Sequence, residues 1–300
     1  MNIMKKIIIY FLAVLLMLSF ASCGDSPVPS GNENNNEVNS NEPFENDSGN
    51  TSSIKDVTIE EQVILDENDV KITVTSFDNN AFMGPELKVL IENNSASNLT
   101  IQTRNSSING IMADTIFSCD VAAGKKANDS IIFTITDYIE EYTNIIADLE
   151  FSFHIFDSES WETYYDSDKI ALETSASNSF DYSYDNSGEI IYDNNGIKVI
   201  FKGLSNDFFG PGFILYVENN SGKSVTVQTR DVSVNGFMIE PAYSADVDNN
   251  KISIDSASFF SSDFDENGIT EINELEFSLH IFDTDSWNTI DDSDAILLTF

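Results

Sequence analysis

Phe151-Ser152-Phe153-His154-Ile155-Phe156-Asp157-Ser158-Glu159-Ser160-Trp161 returns 126 residues later as Phe277-Ser278-Leu279-His280-Ile281-Phe282-Asp283-Thr284-Asp285-Ser286-Trp287. Both histidines and both tryptophans of the 300-residue chain fall in these two stretches. Arg104 and Arg230, its two arginines, keep the same offset. Rare residues sharing one offset mark an internal duplication of a single structural unit. Within each stretch Phe, Leu and Ile alternate with Ser, Glu and His. That period of two predicts a strand with one buried side.

The same alternation continues outward from this strand. Val70, Ile72 and Val74 alternate with Lys71, Thr73 and Thr75. Leu87, Val89 and Ile91 follow, and Asn93-Asn94-Ser95 breaks the strand. Leu99, Ile101 and Thr103 alternate with Thr100, Gln102 and Arg104, and Asn109-Gly110 turns the chain. Further strands are expected at residues 62–65, 131–133 and 169–172, making seven per copy. Residues 137–146 leave room for one helical turn crossing between sheets. No long apolar repeat of 3.6 residues occurs beyond the N-terminal segment. An all-β fold of two tandem two-sheet sandwiches is therefore expected. Copy one is placed at residues 58–174 and copy two at residues 190–300. Polar residues 175–189, which include Phe180, Tyr182 and Tyr184, read as a linker. Ile197-Lys198-Val199 matches Val70-Lys71-Ile72 at an offset of 127, whereas Gly210-Pro211 matches Gly84-Pro85 at 126. One intervening loop has therefore changed length by one residue.

Hydrophobic content of 41% suffices for a core in each copy. The net charge of −37 argues against nucleic acid and anionic lipid as partners. Of the two cysteines, Cys119 aligns with Ala245, so no disulfide framework exists, and Cys119 is expected as a small buried residue.

Residues 1–22 read as a secretory signal: Lys5 and Lys6, an apolar run at 7–20, then Ala21-Ser22. The run is shorter than the roughly 20 apolar residues of a bilayer span. Phe20-Ala21-Ser22-Cys23 resembles the lipobox of bacterial lipoproteins, with Phe20 where Leu is usual. That resemblance implies lipidation of Cys23 and an extracytoplasmic, surface-exposed chain anchored to the bacterial cell membrane. Residues 23–57 are rich in Asn, Ser, Glu and Gly and are expected to be a disordered tether with a span of roughly 30 Å.

Leu87-Lys88-Val89-Leu90-Ile91-Glu92-Asn93-Asn94-Ser95, followed by Leu99-Thr100-Ile101, recurs at residues 213–221 and 225–227. This pattern resembles the immunoglobulin-like, telokin-like domains of bacterial surface lipoproteins. The resemblance implies sandwich domains at the cell surface that serve binding or assembly. It carries over no catalytic residue.

Several side chains are candidates for chemistry. His154 and His280 lie opposite the apolar stripe and are expected to hydrogen-bond a strand neighbour. Trp161 and Trp287 either plug the sandwich end, the commoner role of a large aromatic, or stand as a platform for a sugar ring or a protein partner. Arg104 and Arg230 are expected to pair with Asp or Glu. Asp263, Asp265, Asn267 and Glu274, with Gly268, satisfy a calcium-loop spacing. Copy one lacks that ligand set and the flanks are not helical, so a helical turn closed by Gly268 is the competing expectation. Asp157, Glu159, Asp166 and Asp168 recur as Asp283, Asp285, Asp292 and Asp294, as solvated acids or as acid and base. Leu90, Tyr216, Phe156 and Phe282 point away from the core stripe, toward a binding face or an interdomain contact.

The sequence thus predicts a non-catalytic, lipid-anchored protein whose immunoglobulin-like domains bind a protein or glycan or mediate adhesion, with no required cofactor. A calcium-stabilised surface spacer and a carboxylate-dependent carbohydrate-active enzyme are the alternatives.

Overall fold

The computed structural model describes residues 56–300 apart from residue 209, and the described residues belong to one compact unit. The expected signal, Cys23 and nearly all of the tether lie outside the described residues. The far end of the expected tether is already structured. Val57 is buried in the core, and its N–H donates to Asn79 Oδ1 at 3.4 Å.

Copy one runs through β1 (Gln62–Glu67), β2 (Val70–Asp78), β3 (Glu86–Asn93), β4 (Leu99–Ile108), β5 (Ile111–Met112), β6 (Thr115–Ile116), β7 (Ser118–Val121) and β8 (Lys126–Phe133). A single turn, α1 (Glu140–Thr143), crosses to β9 (Asp148–Asp157), β10 (Thr163–Asp166) and β11 (Ile170–Glu173). Copy two repeats the course: β12 (Glu189–Asn194), β13 (Ile197–Asn206), β14 (Pro211–Asn219), β15 (Val225–Val234), β16 (Phe237–Met238), β17 (Ser244–Val247) and β18 (Lys251–Ser258). After α2 (Ser261–Asn267) come β19 (Glu274–Asp283), β20 (Thr289–Asp292) and β21 (Ile296–Thr299). The fold is all-β, as expected. The short strands β5, β6, β7 and β10 exceed the seven foreseen, because two to four residues are too few to display a period.

In copy one, β1-β2-β3-β8-β6 form one sheet, and β10-β9-β4, with β7 and β11, belong to another. Ile72, Leu87 and Ile131 from the first meet Ile101, Phe151 and Phe153 from the second in one core. Copy two closes a separate core the same way, with Phe213, Leu215, Val227 and Phe277. Two asparagines pin each copy, and all but the half-buried Asn235 are buried. Asn93 Nδ2 donates to the carbonyls of Ser97 and Val121, and Asn219 Nδ2 to those of Lys223 and Val247. Asn109 and Asn235 similarly tie the β4–β5 and β15–β16 turns to the chain entering β9 and β19. Gly84 and Gly210 hold φ of 123° and 146°, and a Cβ at Gly84 would lie 2.2 Å from the Phe133 carbonyl oxygen. The shared glycine is thereby required by backbone geometry.

The copies are joined edge to edge. Ile252 of β18 pairs in parallel with Ile111 of β5, and its N–H donates to the Gly110 carbonyl at 3.1 Å. A ten-stranded sheet therefore runs through both copies. Above the join, Ile200, Tyr216, Ile252 and Ile254 of copy two cluster with Ile111, Ile139, Tyr142 and Tyr184. At the positions of Tyr216, Ile252 and Ile254, copy one carries Leu90, Lys126 and Asn128, since that face of copy one is not covered by another copy. Tyr216 is thus an interface residue, as one of the two expectations for it had it. Lys169 reaches Asp248 at 2.6 Å and Lys251 reaches Glu150 at 2.7 Å across the same join. The segment expected as a linker contributes contacts: Tyr182 Oη donates to Asp148 Oδ2 at 2.5 Å, and Tyr184 Oη donates to the Asn109 carbonyl.

Two outcomes follow from these contacts. Tyr216→Ala removes a large side chain from the join and should cost about 3 kcal/mol. Differential scanning calorimetry should then resolve two transitions where the wild type shows one. Asn93→Ala leaves buried carbonyls without donors and should cost about 2 kcal/mol, read from urea unfolding.

Candidate functional site

Because side chains alternate across a strand, each apolar core residue of β4, β7 and β9 leaves its neighbours facing outward. The register arranges these neighbours in rungs. Asp120, Thr100 and Phe156 lie side by side, then Ser118, Gln102, His154 and Asp166, then Arg104 and Ser152. Copy two builds the same rungs from Asp246, Thr226 and Phe282, then Ser244, Gln228, His280 and Asp292, then Arg230 and Ser278. Every one of these outward positions carries the same residue in both copies.

The hydrogen bonds along the rungs also repeat. Thr100 Oγ1 donates to Asp120 Oδ1 at 2.6 Å, as Thr226 does to Asp246. Gln102 Nε2 donates to Ser118 Oγ at 3.3 Å, and Gln228 to Ser244 at 3.2 Å. His154 and His280 hold Nδ1 2.5 Å from Asp166 and Asp292, the strand-neighbour bond expected of them.

The tryptophans complete the face. Trp161 stacks on Phe156 with centroids 5.5 Å apart and rings 18° from parallel, and Trp287 stacks on Phe282 at 5.5 Å and 17°. The phenylalanines are buried, whereas the tryptophans are 75% and 77% exposed. The plug expectation fails for this reason: each indole covers one phenylalanine and leaves its other side to solvent. Both tryptophans adopt left-handed backbone, φ 63° and 61°, a costly conformation for a bulky residue. The preceding turn supports it. Trp161 N–H donates to the Asp157 carbonyl, while the Asp157 carboxylate accepts from the N–H groups of Ser160 and Glu159. These bonds hold the Asp157 carboxyl below its ordinary value. Asp283 is held down to about 2 by the Ser286 N–H and by Lys223.

Arg104 and Arg230 correct a second expectation. Both are exposed, and neither has a carboxylate within ion-pair distance among the described residues. The acids of each face already serve Thr and His. Arg104 also lines, with Ser244 and Asp246 of copy two, a cleft of about 290 Å³ between the copies.

The calcium spacing does not become a loop. Asp263, Asp265 and Asn267 lie along α2, which ends at left-handed Gly268, and Glu274 opens β19. Among the described residues no group of three His, Cys, Asp or Glu side chains is placed to hold a metal. Successive ligands two apart fan around a helix instead of converging. Cys119 is buried and unpaired, and burial pushes its thiol up to about 12. The rungs were present in the sequence as identities at alternate positions. The partner strands β7 and β10 were too short to announce themselves.

No protein-family model and no curated protein matches this chain. Among solved structures, it is similar to "YadV chaperone", at 12% identity and a TM-score of 0.24, over 77% of this chain and 100% of that one. It is also similar to the exo-beta-D-glucosaminidase CsxA, at 15% identity and a TM-score of 0.23, over 75% of this chain and 26% of that one. Likenesses this low carry no argument about fold or function.

The turn carboxylates give the site a defined acid response. Their depressed values mean that the hold on each tryptophan is complete above the ordinary 3.8 and is lost as pH falls through the folded value, about 2 for Asp283. Tryptophan emission should therefore stay constant from neutral pH to about 4 and change toward pH 2. In Asp157→Ala combined with Asp283→Ala, that change should already be present at pH 7.

Proposed function

We propose that this chain is a non-catalytic, lipid-anchored protein of the bacterial cell envelope that displays two immunoglobulin-like domains for binding or adhesion. The supporting observation is the contrast between the outward face and the core. Some core positions drift between the copies, Leu87 to Phe213, Phe153 to Leu279 and Ile131 to Ala257, while Leu149, Phe151 and Ile155 recur unchanged. Exposed Glu162, beside Trp161, drifts as well, to Asn288. Thr, Gln, Arg, Ser, Asp, His, Phe and Trp on the rungs do not. Cross-strand pairs contribute only about 0.2–1 kcal/mol each. Packing accounts for the buried Thr100 and Phe156 and their counterparts but gives no reason to keep the exposed Arg104, Ser118, Asp120, Asp166 and Trp161, whereas recognition does.

Lipidation at Cys23 would place this face outside the cytosol at the end of a tether, where both copies reach a ligand. Asp157 and Asp283 of the tryptophan turns are engaged with their own backbone, which suits a structural role and not acid–base work. Labelled palmitate should enter the wild type and not Cys23→Ser, which should appear in the culture medium. Cells displaying the wild type should adhere to an immobilised ligand panel of glycans and proteins. Cells displaying Trp161→Ala with Trp287→Ala at equal density should lose that adhesion, and undiminished adhesion would refute the reading.

A further inference from the structure

We infer that the duplicated face takes an uncharged polysaccharide chain, with one tryptophan platform of each copy engaging the same polymer. The inference rests on the binding role proposed above and names the ligand class.

The shape of the face selects the ligand. Its sole broadly exposed apolar group is a single indole, held flat by the phenylalanine beneath it and by its own left-handed backbone. A protein partner is ordinarily gripped by an apolar, desolvated core with aromatic anchors grouped at its centre. Here each indole stands in a polar turn of Asp, Ser and Glu or Asp, beside rungs of Thr, Gln, His, Ser and Arg. A sugar ring has the complementary surface, with an apolar C–H side for stacking and hydroxyls around its edge. Gln102, His154 and Arg104 are planar donors, and two of them are already oriented by Ser118 and Asp166. A preoriented donor loses little freedom on binding.

Charge narrows the class further. The net charge of −37 repels a polyanion. Asp120 and Asp166 keep their charge while bonded to Thr100 and His154, but Gln102 and Arg104 present N–H donors, from which an ammonium group cannot accept. A neutral chain meets neither penalty. The rungs from Thr100 to Arg104 span four residues, about 13 Å at about 3.3 Å per residue, so the ligand is longer than one sugar. Copy two's face lies on the six-stranded sheet, which packs through one core on that copy's strands of the ten-stranded sheet, so the core fixes it relative to the first face, and the cleft lined by Arg104, Ser244 and Asp246 borders both. One polymer bound at two rigidly spaced sites gains about 10²–10⁴ in avidity over either site alone.

The test is affinity electrophoresis of the full chain in detergent, through gels containing a mixed-linkage β-glucan, a xylan or a galactomannan. Gels with polygalacturonate and with chitosan run alongside. At least one neutral polymer should retard the wild type. Trp161→Ala and Trp287→Ala should each weaken binding at least tenfold, and the double variant should migrate as in a blank gel. Trp161→Phe with Trp287→Phe should retain binding within a few-fold, and unchanged melting of all variants should exclude misfolding. Retardation by the charged polymers alone, or by no polymer, overturns the inference. If the tryptophan variants instead abolish capture by a protein array, the sugar assignment falls and the binding role stands. Ligand binding left unchanged by the tryptophan variants and by Gln102→Ala with Gln228→Ala shows that this face is not the binding surface and overturns both the inference and the observation on which the binding role rests.

Discussion

Burial of Leu149, Phe151, Phe153 and Ile155 sets the register of β9, and everything on the other side of that strand inherits its position. A slip of one residue would bring His154 into the core and expel two phenylalanines, so slipped registers are excluded by the hydrophobic term alone. The outward side chains are therefore as well placed as the core is well packed. Pairing with β4 and β10 then brings Gln102 and Asp166 alongside His154. An array of hydrogen-bonding groups arises on the face of a sheet, without any helix.

The second constraint is the join between copies. A parallel bridge of one residue pair would be weak by itself. Tyr216, Ile200 and Ile254 packing on Ile111, Ile139 and Tyr142 give it an apolar core, and the two lysine–carboxylate contacts flank it. The duplication has specialised in consequence. The outer face of β14 and β18 turned apolar, while the matching face of β3 and β8 kept Lys88, Lys126 and Asn128. At the other end, Phe237 and Met238 occupy the positions of Ile111 and Met112 and remain exposed. Divergence between the copies thus follows the join, and identity follows the outward rungs.

The backbone at the tryptophans connects these constraints to the surface chemistry. Left-handed geometry at a bulky residue is retained twice, each time with an aspartate accepting N–H bonds from the turn before it. An extended backbone there would swing the indole away from the phenylalanine. The strain is offset by the turn's hydrogen bonds and the stacking contact, and it leaves one side of the ring free.

Much of this was legible along the chain. Period-two patterning is local, so the strand character of β2, β3, β4 and β9 could be read directly. The shared offset of His, Trp and Arg exposed the duplication, and the single helical turn before β9 was anticipated from residues 137–146. What the residues alone determined was an all-β chain in two copies, with a stripe on each strand that must be buried. Exposure of Trp161 and Trp287, the lack of an ion pair at Arg104 and Arg230 among the described residues, the conversion of the calcium spacing into α2, and the edge-to-edge sheet were decided only by the tertiary structure. Each depends on which distant segments meet, and on turn geometry that a one-dimensional pattern of polar and apolar residues does not encode.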